Sequence, residues 1–426
     1  MTRSLMNICV YEDPGLLRFW PLTTTKPVYD IFIGTGTNVE KIKHHFTDVA
    51  QIHLYTRQHL SQVLGEKYPE AIVNMPPTEG ETLLINGRLV VNKVVAETLR
   101  KAEPGCVFYV GGEVAAVKLA EPDLPENFWQ SLTTPGKRVE IPVHHLTKRE
   151  LEANLVNNLW DIVELSPKLI LDEVFGEKTS YGQRDLVFAR GEVELDNHVV
   201  LDDRKGPIVL DEGVVVESFT KIVGPCYVGK SSRIFPNSYI ASCSFGPVCR
   251  VGGEVEGCVF MGYSNKRHYG FLGHSVVGEW VNIAAGTTVS NMKNTYGSFR
   301  MTVEGRRVET GRQFLGSFFA DHVKTGIGTM VSGGVKIGVA SHVYREAQTD
   351  IPSYTIHTPT EKIELNIEQA LETAKRMMSR RGVEPSKNYL DMLQNVFNMT
   401  AEERRSAGVV KKRFSFYNTE GSYGHG

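Results

Sequence analysis

The chain has 426 residues, 41% hydrophobic and 23% charged, with a formal net charge of -2. That length exceeds one ordinary core and implies two domains plus a tail. The near-zero charge gives no bulk attraction to nucleic acid or an anionic membrane, and no apolar stretch has spanning length. The opening run MTRSLMNICVYED meets acids too soon for a secretory leader. Cys9, Cys106, Cys226, Cys243, Cys249 and Cys258 include no CxxC pair. Scattered thiols in a chain of this size imply a reduced, cytoplasmic protein without a zinc cluster.

Residues 1–145 alternate strand and helix signals. MNICVYE, QIHLYT and ETLLINGRLVV are strand candidates. TNVEKIKHHF reads as a helix opened by Thr37 and Glu40 in capping-box spacing. YTRQHLSQVLGEKY and NKVVAETLRKAE read as further helices, and CVFYVGGEVAAVKL as a strand pair turning at Gly111-Gly112. The alternation predicts an α/β domain. Residues 146–184 read as a helical connector.

From 185 to 355 the period changes. Leu210, Val216, Ile222, Val228, Ile234 and Ile240 are spaced six apart. The phase lapses, then returns at Phe271, Val277, Ile283 and Val289, and again at Val331, Ile337 and Val343. Neither a helix nor a flat strand has this period. A left-handed parallel β-helix of hexapeptide repeats does, with one aliphatic residue per side pointing inward and small residues at the corners; a β-sandwich with chance spacing is the alternative. The stretch from Val289 to Val331 predicts a long excursion, where sites are often built. Residues 356–426 predict a helical tail, with Arg380-Arg381-Gly382 ending one helix, and a final KKRFSFYNTEGSYGHG that is disordered or packs late.

Two regions carry candidate chemistry. Near the start, Gly15, Arg18, Pro21-Leu22-Thr23 and Lys26-Pro27 resemble the signature of sugar-1-phosphate nucleotidyltransferases. There a Gly-rich loop wraps triphosphate, and cations such as Arg18 and Lys26 neutralise the leaving pyrophosphate. The resemblance implies Mg2+, yet Leu84-Ile85-Asn86-Gly87-Arg88 stands where that family keeps a metal-binding Asp, so a vestigial domain is the competing reading. Gly34-Thr35-Gly36-Thr37 is a weaker anion-cradle candidate.

In the second half, Val251 to Glu256, Ser264-Asn265-Lys266-Arg267-His268, Phe271-Leu272-Gly273-His274 and Val281 to Thr287 resemble, in order, the acetyltransferase half of bifunctional N-acetylglucosamine-1-phosphate uridyltransferases (GlmU-like). Gly262-Tyr263-Ser264-Asn265-Lys266, Gly278-Glu279-Trp280-Val281-Asn282 and Asp321-His322-Val323-Lys324-Thr325 are similar to a family of sugar nucleotidyltransferases with a shortened N-terminal domain. The resemblance covers most of residues 6 to 355. It implies His268 as the base that deprotonates a sugar amine, with Asn291 beside it, and acetyl-CoA or another acyl-CoA as cosubstrate. Lys266, Asn282, Tyr296, Arg300, Asp321, His322 and Lys324 are then candidates for binding substrate. Phe271 and Met292 replace two family tyrosines. A structural His268 and a salt-bridged loop base for Asp321, His322 and Lys324 stay open. So does a three-histidine metal site from His268, His274 and His322, although the spacing suits it poorly.

The expectation is a cytoplasmic homotrimer that handles a sugar phosphate or nucleotide sugar by nucleotidyl and acyl transfer, without nucleic-acid or membrane partners. A non-catalytic binder or scaffold with degenerate sites is the alternative.

Overall fold

A computed structural model describes residues 6–134, 145–174 and 186–414. The last part of the basic terminal run, from residue 415, lies outside the described residues. No helix among those described is long and apolar enough to cross a membrane.

The N-terminal domain is built on a seven-stranded sheet. Its strands are β1 (Met6–Tyr11), β2 (Val49–Leu54), β3 (Ile72–Val73), β4 (Thr82–Asn86), β5 (Cys106–Val110), β6 (Glu113–Leu119) and β7 (Thr147–Glu150). They lie in the order β3-β2-β1-β4-β6-β5-β7. The all-buried MNICVY run forms central β1, parallel to β2 and β4, because only a strand covered on both faces tolerates a continuous apolar run. Helices α1 (Asn38–His45), α2 (Ser61–Lys67), α3 (Lys93–Lys101) and α4 (Glu126–Ser131) accompany the sheet. The Thr37–Glu40 capping box opens α1 as its spacing predicts. The segment read as a helical connector first adds β7 beside β5, then forms α5 (Leu159–Val174).

The second domain is the left-handed β-helix. Leu210 stacks on Val228, Val216 on Ile234 and Ile222 on Ile240, each one coil further along. Three faces result. Face A starts at Val187–Arg190, face B at Glu194–Leu195 and face C at Val200–Asp202. The inward aliphatics, joined by Cys226, Cys243, Cys249 and Cys258, form one continuous core. All six cysteines are buried and free. Corners turn through left-handed backbone even at non-glycine residues such as Ser231, Asn237, Tyr263, His274 and His322. Stacking against neighbouring coils offsets the roughly 1 kcal/mol that such a residue costs.

The six-residue phase slips first at the corner between faces C and A, where Phe245 follows Ile240 inward after five residues, and it returns at Leu272 rather than at half-buried Phe271. Gly252-Gly253 shortens one corner, so Val255 follows Val251 inward. One coil later Lys266 occupies an inward slot, registered on Val251. The excursion is also shorter than the spacing suggests. The chain re-enters face A at Phe318–Phe319 and face B at Lys324–Thr325, where polar Thr325 hides the pattern. Asp321, His322 and Lys324 therefore belong to a coil and do not close a loop. The excursion carries the hairpin Arg300–Val303/Arg306–Glu309.

Helix α5 and the loop before α1 cover the outer side of face A, burying Trp160, Leu169 and Ile170 with Tyr227, Val259 and Phe318. The tail forms α6 (Ile367–Ser379), α7 (Lys387–Met399) and α8 (Ala401–Ser406). Ile367, Ala370, Ala374 and Met378 make the buried stripe of α6, at helical spacing.

Candidate functional sites on the domain and the coil

In the N-terminal domain, Arg88 fills the space beneath the Pro14–Phe19 turn. Its guanidinium holds Asp13, Glu113 and the Asn157 side chain, and a Cβ on Gly15 would lie 2.6 Å from its Nε. Asp13 and Glu113, the carboxylates beside the end of β4, are thus neutralised by a side-chain cation. No group of three or more metal-ligating side chains occurs among the described residues. The residues present do not fit Mg2+. Arg18 is half-exposed, 3.8 Å from Glu113. The Gly34–Thr37 turn already holds an anion of the protein's own, because Thr35 donates its N–H and hydroxyl to Glu173.

Lys26 does not face a cleft. It is buried at the junction of the domains, with Nζ 2.8 and 2.7 Å from the two oxygens of Asp321. Thr25 Oγ1 and the Glu279 N–H also donate to that carboxylate. Burial opposes the charge on Lys26, yet Asp321 and Glu279 hold its pKa above the ordinary lysine value. His322 is buried beside this pair and bonds the Tyr389 hydroxyl at 2.8 Å. Burial, then the charges of Lys324 and Lys26, keep it neutral. Asp321 and His322 therefore fasten the two domains and the tail together at the corner between faces A and B.

His268 lies on the corner between faces B and C, exposed to solvent. Its loop is pinned from inside. The Lys266 Nζ donates to the carbonyls of Gly252 and of His268 itself, and burial lowers the lysine to about 8. Lys266, expected to meet a sugar phosphate, points into the coil because the six-residue register turns it inward. The same corner carries an exposed apolar row, with Phe219 63%, Tyr269 72% and Ile327 80% exposed.

Asn291 lies on the third corner, between faces C and A, and bonds His274 Nδ1 at 2.9 Å. His274 stacks on Phe314 and is lowered by burial. Together with Trp160, Glu164 and Arg312 it lines a cavity of about 520 Å³. The sequence offered His274 only as a metal ligand. His268, His274 and His322 stand on three different corners and cannot share a metal. Tyr296 is exposed on the excursion, and Arg300 pairs with Glu309 across its hairpin.

Asn282 and Lys324 do come together, on the outer side of face B, with Asn265 between them and the preceding coil. They line a cavity of about 260 Å³ roofed by Arg376, Arg380 and Arg381 of the tail. In sequence, Arg380 and Arg381 read only as helix-ending cations. The signal available was Arg376 and Arg380 four apart on one helix face.

Residues 8–176 match the family model described as sugar nucleotidyl transferase. The chain is 35% identical over 188 residues to a bifunctional sugar-1-phosphate nucleotidylyltransferase/acetyltransferase from Sulfurisphaera tokodaii, covering 43% of each chain. It is 28% identical over 197 residues to the bifunctional protein GlmU of Methanocaldococcus jannaschii, covering 43% of this chain and 42% of that one. These matches span less than half of this chain and less than half the length of either relative. A solved variant of AntD, an N-acyltransferase from Bacillus cereus in complex with dTDP and coenzyme A, overlaps 47% of this chain and 97% of its own at 13% identity and a TM-score of 0.23.

Proposed function

We propose that the coil is an acyltransferase of nucleotide-sugar metabolism, acting on the amine of a phosphorylated amino sugar with acyl-CoA as donor. The observation that carries this reading is the His268 corner, an exposed imidazole whose loop is pinned from within by Lys266 and flanked by an exposed apolar row. In the step, His268 accepts the amine proton as nitrogen bonds to the thioester carbonyl, and the C–S bond breaks to release the CoA thiolate. His268 and the His274–Asn291 pair sit on opposite edges of face C, up to ~20 Å of chain apart. A homotrimer that buries Tyr269 and Ile327 against a second copy brings one chain's His268 to its neighbour's Asn291. The N-terminal domain then serves structure and docking, since its phosphate loop already holds Arg88. That filled loop also favours the second reading, a non-catalytic binder of sugar nucleotides.

His268→Ala and His268→Gln should keep the melting temperature and the trimer mass in light scattering while slowing transfer to hexosamine-1-phosphate by ~10²–10⁴-fold. Mixing His268→Ala with Asn291→Ala and reassembling the oligomers should restore part of the activity. Near wild-type turnover in folded His268 variants eliminates His268 as base. A wild type that transfers to no acceptor leaves the binding reading.

A further inference from the structure

Arg250, Lys324, Arg380 and Arg381 gather on the outer side of face B, and none has a carboxylate partner among the described residues. Arg250 bonds the carbonyls of Ser231 and Cys249. Lys324 Nζ bonds the His322 carbonyl at 2.7 Å. Arg381 Nη2 meets Asn265 Oδ1 at 2.6 Å, while its Nε is buried without any partner. Burial lowers both Arg250 and Arg381, the first also through the charge of Arg381 and the second through that of Arg380. Arg376, which also lines the cavity, makes only an exposed pair with Glu372. Grouping like charges around a cavity costs stability unless an anion completes the site.

We propose that the cavity between face B and α6 is a diphosphate site, with Lys324, Arg376, Arg380 and Arg381 gripping the phosphate oxygens and Asn265 and Asn282 orienting them. Guanidinium forks and an ammonium are the donors suited to that charge density. The shared chemistry is a pyrophosphate linkage, found in a nucleoside-diphosphate sugar and in coenzyme A. The Tyr263 ring at the cavity edge, stacked on Trp280 at 4.3 Å, offers an aromatic surface to an attached base. His268 lies three residues beyond Asn265, at most ~11 Å along the chain. A ligand held here by its diphosphate extends toward that corner, and only this direction rests on the acyl-transfer reading.

The test is calorimetric titration of the full chain with UDP, coenzyme A and inorganic pyrophosphate, at low and high salt. One nucleotide ligand should bind, pyrophosphate should compete, and salt should weaken both. Arg376→Glu combined with Arg380→Glu changes exposed side chains, so the unliganded melting temperature should hold while affinity falls by at least ~10-fold. UDP without coenzyme A identifies a sugar nucleotide, and the reverse identifies the acyl donor. No binding of any of the three, or wild-type affinity in the double variant, overturns the site. Transfer by the wild type separates the two readings. A wild-type chain that binds diphosphate but transfers nothing retains this site and loses the acyltransferase.

Discussion

Lys266 is the residue where sequence and structure differ most usefully. Its neighbourhood resembles an acetyltransferase block, which points to a substrate contact, whereas the register of the coil turns the side chain inward. It occupies an aliphatic slot registered on Val251, and its ammonium holds the carbonyl of His268. Lys266→Met should remove that pin. Transfer should fall through kcat while the fold persists, because a buried cation gives way to an apolar chain of similar length. The pH dependence separates this from a generic packing defect. The folded lysine titrates near 8, below its unfolded value of about 10.4. Between these limits the unfolded chain binds the extra proton, so wild-type stability rises with pH relative to Lys266→Met. Urea denaturation at pH 7 and pH 10 checks this, and a pH-independent difference contradicts it.

At the scale of elements, the six-residue period made the coil legible wherever its inward residue was aliphatic and its corners kept their full length. It failed at Lys266 and Thr325, where polar side chains fill inward slots, and at Gly252-Gly253, where a corner is cut short. The excursion was therefore read as too long and the Asp321–Lys324 segment as its base. The α/β pattern and the capping box were legible because both are local. The cavity under α6 was not, since it joins residues more than a hundred positions apart, as in the Arg381–Asn265 contact. The excursion is part of the core. Met301 is fully buried and Phe299 is 5% exposed, and Lys336 Nζ donates to the Thr302 carbonyl. Met301→Ala should cost about 2–5 kcal/mol in the global urea transition. A hairpin that only frays would instead raise proteolysis near Gly305 and leave that transition unmoved.

For the whole molecule, the telling contact joins the two domains. Lys26 looks like a phosphate ligand in sequence, yet Asp321 is its partner across 295 positions. Removing one member of a buried pair leaves an uncompensated charge and costs about 3–5 kcal/mol. Lys26→Met and Asp321→Leu should each be destabilising by that order, while the double variant recovers much of the loss. Additive losses in a double-mutant cycle would mean that the pair is not coupled. The sign with pH follows from the raised Lys26 pKa. The contribution is complete below the unfolded value of about 10.4 and fades only in stronger alkali.

Arg88 has a last consequence. A metal ion between carboxylates has a dissociation constant, so a domain that depends on one softens when the free ion is scarce. Here the counter-ion of Asp13 and Glu113 is tethered by a covalent chain and cannot leave. The N-terminal domain is therefore indifferent to the ionic supply around it. Its melting temperature should be the same in EDTA and in millimolar magnesium, and a shift of several degrees between the two would show that a cation competes with the guanidinium.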